Sequence, residues 1–142
     1  MRSERPFDPS TAELALSTSQ HCEFLDITGK VEAVVRESGV TGGICIVYSP
    51  HTTAAVTINE NADPSVVRDM AMAGYKLIRR DDPEYRHAEG NSDGHIKSSF
   101  YGASETIIIE EGRLMLGTWQ GIYFAEFDGP RQRRVLVKMI AG

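Results

Sequence analysis

Cysteine is scarce in this chain: Cys22 and Cys45 are the only two in 142 residues, and neither belongs to a CxxC pair. That count excludes a disulfide scaffold and a four-cysteine zinc site. No apolar run approaches the length that spans a bilayer and no secretory signal is recognisable, so the thiols read as reduced and the protein as cytoplasmic, with no membrane partner. Cys45, inside Gly43-Ile44-Cys45-Ile46-Val47, reads as a small core hydrophobe. Cys22 follows His21, a pair too poor in geometry to hold zinc alone. Positive charge is short as well. The net charge is −5, and the one basic cluster, Arg131, Arg133 and Arg134, is too small for the field that nucleic-acid binding requires. That cluster has two readings, a solvated turn and strand start or a single anion contact. The P-loop, GxSxG, HExxH and Rossmann glycine patterns are all missing.

What remains has the composition of an ordinary soluble globule, 41% apolar and 25% charged. A loose leader is expected over residues 1–10 and one domain over 11–142. Strand-like alternation occurs twice between Glu13 and Ile27. Thr28 then caps a helix over Gly29–Ser38, whose Val31, Val34 and Val35 form one stripe, and Gly39 stops it. Strands follow at Gly43–Tyr48 and Thr53–Asn59. Asp63-Pro64 starts a helix that runs to Arg80 and buries Val66, Val67, Met70, Ala73, Leu77 and Ile78. A polar loop from Glu84 to Asp93 leads to a short helix over His95–Tyr101. Antiparallel strands at Glu105–Glu110, Leu114–Thr118, Ile122–Phe127 and Arg134–Ile140 complete the chain. Helices set into a run of antiparallel strands make the fold class α+β, a largely antiparallel sheet covered by helices. Tyr101, Trp119, Tyr123 and Phe127 either fill the core or seal a subunit interface, where aromatics are enriched.

Three stretches concentrate chemistry. In the first, Ser49-Pro50-His51-Thr52 and the following strand, alternation sends Ala54, Val56 and Ile58 to one face. His51, Thr53, Thr57 and Asn59 go to the other, which lacks the Lys and Glu of a solvated face. Asp63 has a capping job, whereas Glu60 has none and is the stronger candidate for acid–base chemistry. On an unbroken strand His51 and Glu60 lie roughly 25–30 Å apart, so one small site needs a bulge or a neighbouring copy to unite them. The second stretch, Asp93 to Gly102, offers an anion the start of a helix with Lys97, Ser98 and Ser99. The third, Gly117-Thr118-Trp119-Gln120-Gly121, sets a tryptophan and an amide between glycines that permit either close approach to a ligand or a sheet bend. Of the four histidines, His51, His87 and His95 sit in polar, loop-adjacent contexts. Their spacing matches no standard zinc motif, and they read either as separate surface and capping residues or as a set gathered by folding.

SPHTTAAVTINENADPSVVRDM, HAEGNSDGHIKSSFYG and GRLMLGTWQGIYFAEFDGPRQRRVLVKMI, in that order and spacing, resemble the YjbQ-like family, often called secondary thiamine-phosphate synthase. The resemblance spans nearly the whole chain from about Leu14. It implies a compact α+β domain that assembles as a homotrimer, with a polar pocket near subunit contacts. It implies that His51, His87 and His95 hold a divalent metal (zinc or magnesium) or an anion, with Glu60, His51 and His95 catalytic. Thr52, Thr53, Asn59, Asp63, Lys97, Ser98, Ser99, Trp119 and Gln120 are then substrate-binding. The implied reaction joins a hydroxymethylpyrimidine diphosphate to a thiazole phosphate with loss of pyrophosphate, as a side activity beside an unknown main one on a small phosphorylated metabolite. A metal-dependent phosphate-ester hydrolase and a non-catalytic trimeric binder of metal or small anion are the alternatives.

Overall fold

Alternating apolar residues form strands here only where a second strand takes up the backbone hydrogen bonds, and nearly every alternating segment of this chain finds one. The computed structural model describes residues 10–142. Its elements are β1 (Thr11–Ser17), β2 (Glu23–Asp26), α1 (Thr28–Ser38), β3 (Gly43–Tyr48), β4 (Ala54–Glu60), α2 (Pro64–Leu77), α3 (Ser92–Tyr101), β5 (Ser104–Glu110), β6 (Arg113–Leu114), β7 (Gln120–Glu126) and β8 (Gln132–Ala141). The leader expected over residues 1–10 lies outside the described residues except for Ser10, whose carbonyl accepts the Met139 N–H at 2.9 Å.

Two antiparallel sheets result, a five-stranded one in the order β1-β8-β3-β5-β6 and a three-stranded one in the order β2-β7-β4. Their inner faces and α1 enclose one main core, in which Val31, Val35, Val47, Val56, Ile109, Ile122, Phe124, Val135 and Val137 are fully buried. The α+β reading holds.

The three-stranded sheet is covered on both sides. Val56 and Phe124 enter the main core, while Ala55, Ala125 and Phe127 enter a second cluster with Phe24 and Tyr101 of α3. Phe24 meets Tyr101, Tyr123 and Phe127 at centroid distances of 5.8, 6.3 and 6.2 Å, geometry that favours aromatic pairs. Trp119 joins none of this and is 62% exposed. The four aromatics therefore split, three inward and one outward.

Local chemistry sets most of the ends. Gly39 stops α1 at φ +73°, a conformation that suits glycine. Asp63 Oδ1 accepts the Ser65 N–H at 2.9 Å and Pro64 opens α2, as expected. Thr28, expected to cap α1, is instead its first residue; Asp26 Oδ1 accepts its N–H and hydroxyl, and Thr28 Oγ1 accepts the Ile122 N–H. The short helix begins at Ser92 rather than His95, because the Asn91 carbonyl already receives the Gly94 and His95 N–H groups. Leu114–Thr118 is not a strand beyond Leu114. Gln120 Oε1 accepts the Gly117 N–H at 2.8 Å and closes a turn, after which Gln120 pairs with Glu60 of β4.

The largest departure is α2. It ends at Leu77, with Ile78 extended (φ −126°, ψ 98°), and buries none of its residues. Met72, Tyr75 and Leu77 are 46, 67 and 81% exposed, and Val66, Val67, Met70 and Ala73 are half-buried at most. Periodicity identified an amphipathic helix, but the described residues cover its apolar stripe only in part.

Arg133 of β8 and Glu126 of β7 bridge the two sheets. Arg133 Nε donates to Glu126 Oε1 at 2.8 Å, and Nη2 donates to Glu126 Oε2 and to Thr53 Oγ1. Removing one partner of a buried pair leaves the other charged and unsolvated. Arg133→Met is therefore expected to lower the unfolding free energy by about 3–5 kcal/mol in urea titrations, and the double variant with Glu126→Leu to recover part of that loss.

Candidate functional site

The turn that leads into β4 is built from its own hydroxyls. Ser49 Oγ donates to the Ala54 carbonyl at 3.0 Å, and the His51 N–H reaches Ser49 Oγ at 3.4 Å. His51 Nε2 lies 3.0 Å from the Arg134 N, whose N–H it accepts in the Nδ1–H tautomer, and the ring stands edge-on to Phe124. Phe124 faces the main core, so His51 lies on the inner side of the three-stranded sheet while α3 covers the other. Thr53 is occupied by Arg133, and Thr52 is exposed.

At the far end of an unbroken β4, Asn59 Oδ1 accepts the Glu60 N–H at 2.7 Å, and Glu60 Oε2 accepts the Asp63 N–H at 3.3 Å. Glu60 thus has a structural job that its position in the sequence did not disclose. The space at Gly121 is filled by the Asn61 side chain, since a Cβ there would come within 2.7 Å of Asn61 Cβ. The close approach of Asn61, not a ligand, uses that glycine. Trp119 and Gln120 lie on this same rim, with the Trp119 carbonyl accepting the Asn61 N–H at 2.9 Å.

His87 and His95 come together. Their ring centroids are 5.1 Å apart with the planes near perpendicular at 84°. His87 is on the exposed loop before α3, and Glu89 Oε2 lies 3.9 Å from its Nε2. Two open cavities flank the pair. One of about 450 Å³ is edged by Tyr85, Arg86, His87, Ser92 and His95, and one of about 400 Å³ by Tyr75, Arg80, Asp82, Tyr85 and His87. Partial burial and then the Asp82 and Asp93 carboxylates push the Tyr85 phenol above its usual range, so it stands as a hydrogen-bond donor at neutral pH. Arg80, Arg86 and Tyr85 were not singled out from the sequence. They flank the Asp81-Asp82-Pro83 turn with no spacing that marks them.

The second stretch divides. Ser98 Oγ donates to the Ala54 carbonyl at 2.9 Å and pins α3 to β4, whereas Ser99 is exposed. Lys97 is only 4% exposed and turns inward, towards Cys22. The three arginines near the C-terminus all have carboxylate partners: Arg131 with Asp128, Arg133 with Glu126, Arg134 with Glu13. Neither a purely solvated turn nor a free anion contact describes them.

As metal donors, His87 and His95 supply two nitrogens, one fewer than the three protein ligands of a catalytic zinc. Among the described residues of one chain, no group of three or more His, Cys, Asp or Glu side chains is arranged for a metal. The expected three-histidine set is thus not assembled within a single chain, since His51 is held on the β8 backbone.

Two packed antiparallel sheets, one helix inside their angle and a histidine cleft at the entry to another define a small α+β protein with a surface site of imidazole, guanidinium and phenol groups. The model of the family described as "UPF0047 protein YjbQ-like" matches residues 12–142, and the chain belongs to that family. It is 52% identical over 134 residues to UPF0047 protein YugU of Bacillus subtilis (strain 168), covering 89% of this chain and 96% of that one. It is 53% identical over 125 residues to UPF0047 protein MJ1081 of Methanocaldococcus jannaschii, covering 88% and 90%. Among solved structures, an uncharacterized conserved protein of the YjbQ/UPF0047 family from Clostridium acetobutylicum is 55% identical, with a TM-score of 0.89, covering 91% of this chain and 99% of that one. A YbjQ-like protein of unknown function from Sulfolobus solfataricus is 31% identical at a TM-score of 0.89, covering 93% and 96%.

Burial, followed by the charge of Arg133, holds the His51 imidazole below its ordinary range, with the Arg134 backbone bond and Glu126 opposing in part. Its folded pKa is lower than its unfolded one. The stability it contributes is therefore complete above about 6.5 and is lost as pH falls from there through the folded value. Urea titrations from pH 7 to pH 5 are expected to show falling stability, with a shallower fall in His51→Gln.

Proposed function

We propose that this chain is a small cytoplasmic enzyme that works as a homotrimer on a phosphorylated metabolite bound in the cleft around His87 and His95. The observation that carries the reading is that pair of imidazoles, 5.1 Å apart between cavities edged by Arg80, Arg86 and Tyr85. An imidazole can give or take a proton through either ring nitrogen, and guanidinium engages phosphate oxygens two at a time. No helix among the described residues is long and apolar enough to cross a membrane.

The reaction suggested by the family resemblance is the joining of a hydroxymethylpyrimidine diphosphate to a thiazole phosphate, as a secondary activity. In that reaction Arg80 and Arg86 draw charge from the departing pyrophosphate and one imidazole gives it a proton. Magnesium, where used, arrives with the diphosphate. Arg131, Arg133 and Arg134 are paired with carboxylates, and Lys97 is buried and turned towards Cys22, so none is placed for this role.

His51, Asn59, Glu60, Trp119 and Gln120 enter this reading only through a second copy. Two open apolar surfaces support self-association: the stripe of α2, and the outer face of the five-stranded sheet, where Tyr48, Ile108 and Ile140 are 42, 57 and 45% exposed. In a trimer the exposed Trp119 of a neighbour offers a surface on which a flat ring stacks. The histidine pair also favours a metal-dependent phosphate-ester hydrolase, which needs a third ligand from another copy; a non-catalytic trimer that holds the metal or anion is the remaining reading.

Purified protein given both substrates and magnesium is expected to yield thiamine phosphate on a chromatogram. His87→Ala and His95→Ala should each slow it about 100-fold or more with unchanged circular dichroism. Equal rates in all three proteins would sink the synthase reading. Zinc-dependent cleavage of a phosphate ester, abolished in both variants, would replace it with the hydrolase, and tight binding with no turnover of either kind would leave the binder. Sedimentation velocity should give three times the 15.7 kDa chain, falling to a single chain when Val67 and Met70 are both changed to Asp.

A further inference from the structure

Two side chains of the segment between β1 and β2 meet two from successive turns of α3. His21 Nε2 lies 3.4 Å from Asp93 Oδ2, and Lys97 Nζ lies 3.7 Å from Cys22 Sγ. Lys97 makes no ion pair with a carboxylate among the described residues; its Nζ has the thiol on one side and the Phe127 ring, 5.8 Å from the centroid, on another. A lysine that is 4% exposed and directed at sulfur rather than at water or a carboxylate is not explained by the fold.

The thiols differ in kind. Cys45 is completely buried in the main core, and burial pushes it up to about 11. Cys22 is half-buried; burial raises it too, and Lys97 opposes that only in part through charge and hydrogen bond, so the thiol stays above its ordinary value. Of the two thiols, Cys22 is the one not shut inside the core, and it has the Lys97 ammonium 3.7 Å from its sulfur. A sulfenic acid formed there has no second cysteine to capture it, because Cys45 belongs to a different packing cluster. The nucleophile within reach is the Lys97 amine.

We propose that Cys22 and Lys97 form a peroxide-driven covalent bridge, a sulfenamide that ties α3 to the β1–β2 segment. In the first step Cys22 sulfur attacks hydrogen peroxide. The S–O bond forms, the S–H and O–O bonds break, sulfur is oxidised, and the other peroxide oxygen leaves as water. In the second step the Lys97 nitrogen attacks that sulfur. The S–N bond forms, the S–O bond breaks, the hydroxyl leaves as water with one amine hydrogen, and any further ammonium proton passes to solvent. No second oxidant is consumed, and the protein loses two hydrogens overall. Two equivalents of a small thiol restore Cys22 and Lys97 and leave as a disulfide.

The test is intact-mass and peptide mapping of the full chain after graded hydrogen peroxide. The expected result is a species lighter by two hydrogens whose digest joins the Cys22 and Lys97 peptides and separates again with dithiothreitol. Cys22→Ser should abolish it and Cys45→Ala should leave it intact. Lys97→Met should divert Cys22 to oxygen adducts; if that variant does not fold, the wild-type map still decides. Oxygen adducts confined to Cys22, a joined peptide that retains an oxygen, or a Cys22–Cys45 disulfide would each overturn the proposal.

Discussion

Glu126 occupies an inward position on β7, in line with Ile122 and Phe124, where a carboxylate has no water to turn to. Burial alone would raise it, yet Arg133, the Asp128 N–H and Thr18 together hold it below the usual carboxylate range. Each of its oxygens accepts two hydrogen bonds: Oε1 from Thr18 and Arg133, Oε2 from Arg133 and Asp128. Saturation of this kind lets a charge pair persist inside a protein, although a pair of apolar residues would often be no less stable. What the pair supplies here is position. Through Thr53 it sets the turn that carries His51, and through Thr18 the segment that carries His21 and Cys22. Asp128 Oδ2 in turn accepts the Asn91 Nδ2–H at 2.7 Å, at the start of the helix that carries His95 and Lys97. Gly129 belongs to the same joint, where a Cβ would press on Thr18 Oγ1 at 2.8 Å.

Around that joint, β4 acts as a partition. One side belongs to the main core and the other to α3, which is why a histidine at its entrance and a histidine on the covering helix do not meet. The candidate residues separate into three groups: His51 on the inner side, His87 and His95 on the outer side, and Asn59, Glu60, Trp119 and Gln120 at the far rim. Distance along a strand is rigid, so no loop movement within one chain closes the gap between the first and the last. Among the described residues, the part-open stripe of α2 and the part-open outer face of the large sheet belong to the same account. The described residues carry more apolar surface than they enclose.

Local signals were legible and were largely right. The Asp63-Pro64 helix start, the Gly39 stop, the proline turn before β4 and the alternation of Ala54 and Val56 all depend on residues within a few positions of one another. The same signals failed where two interactions competed locally. Thr28 gave its hydroxyl to Ile122 rather than to its own helix end, and Gln120 turned back on Gly117 and cut β6 short. The alternation of β7 placed Glu126 among core residues, and that mismatch was the one clue to the buried pair. Which of three nearby arginines would answer it was not written in their spacing.

The amino-acid order by itself determined the α+β class, the element sequence, the family and the polar character of the loop before α3, because each rests on short-range geometry or on motifs kept in order. Only the tertiary structure decided that His87 and His95 share a cleft without His51, that Glu60 has a capping role, that the described residues bury no residue of α2 fully, and that Cys22 faces Lys97 across 75 residues. Periodicity records which face of a segment is apolar, not what will lie against it. That second choice is made by contacts between distant segments, and they leave no local trace.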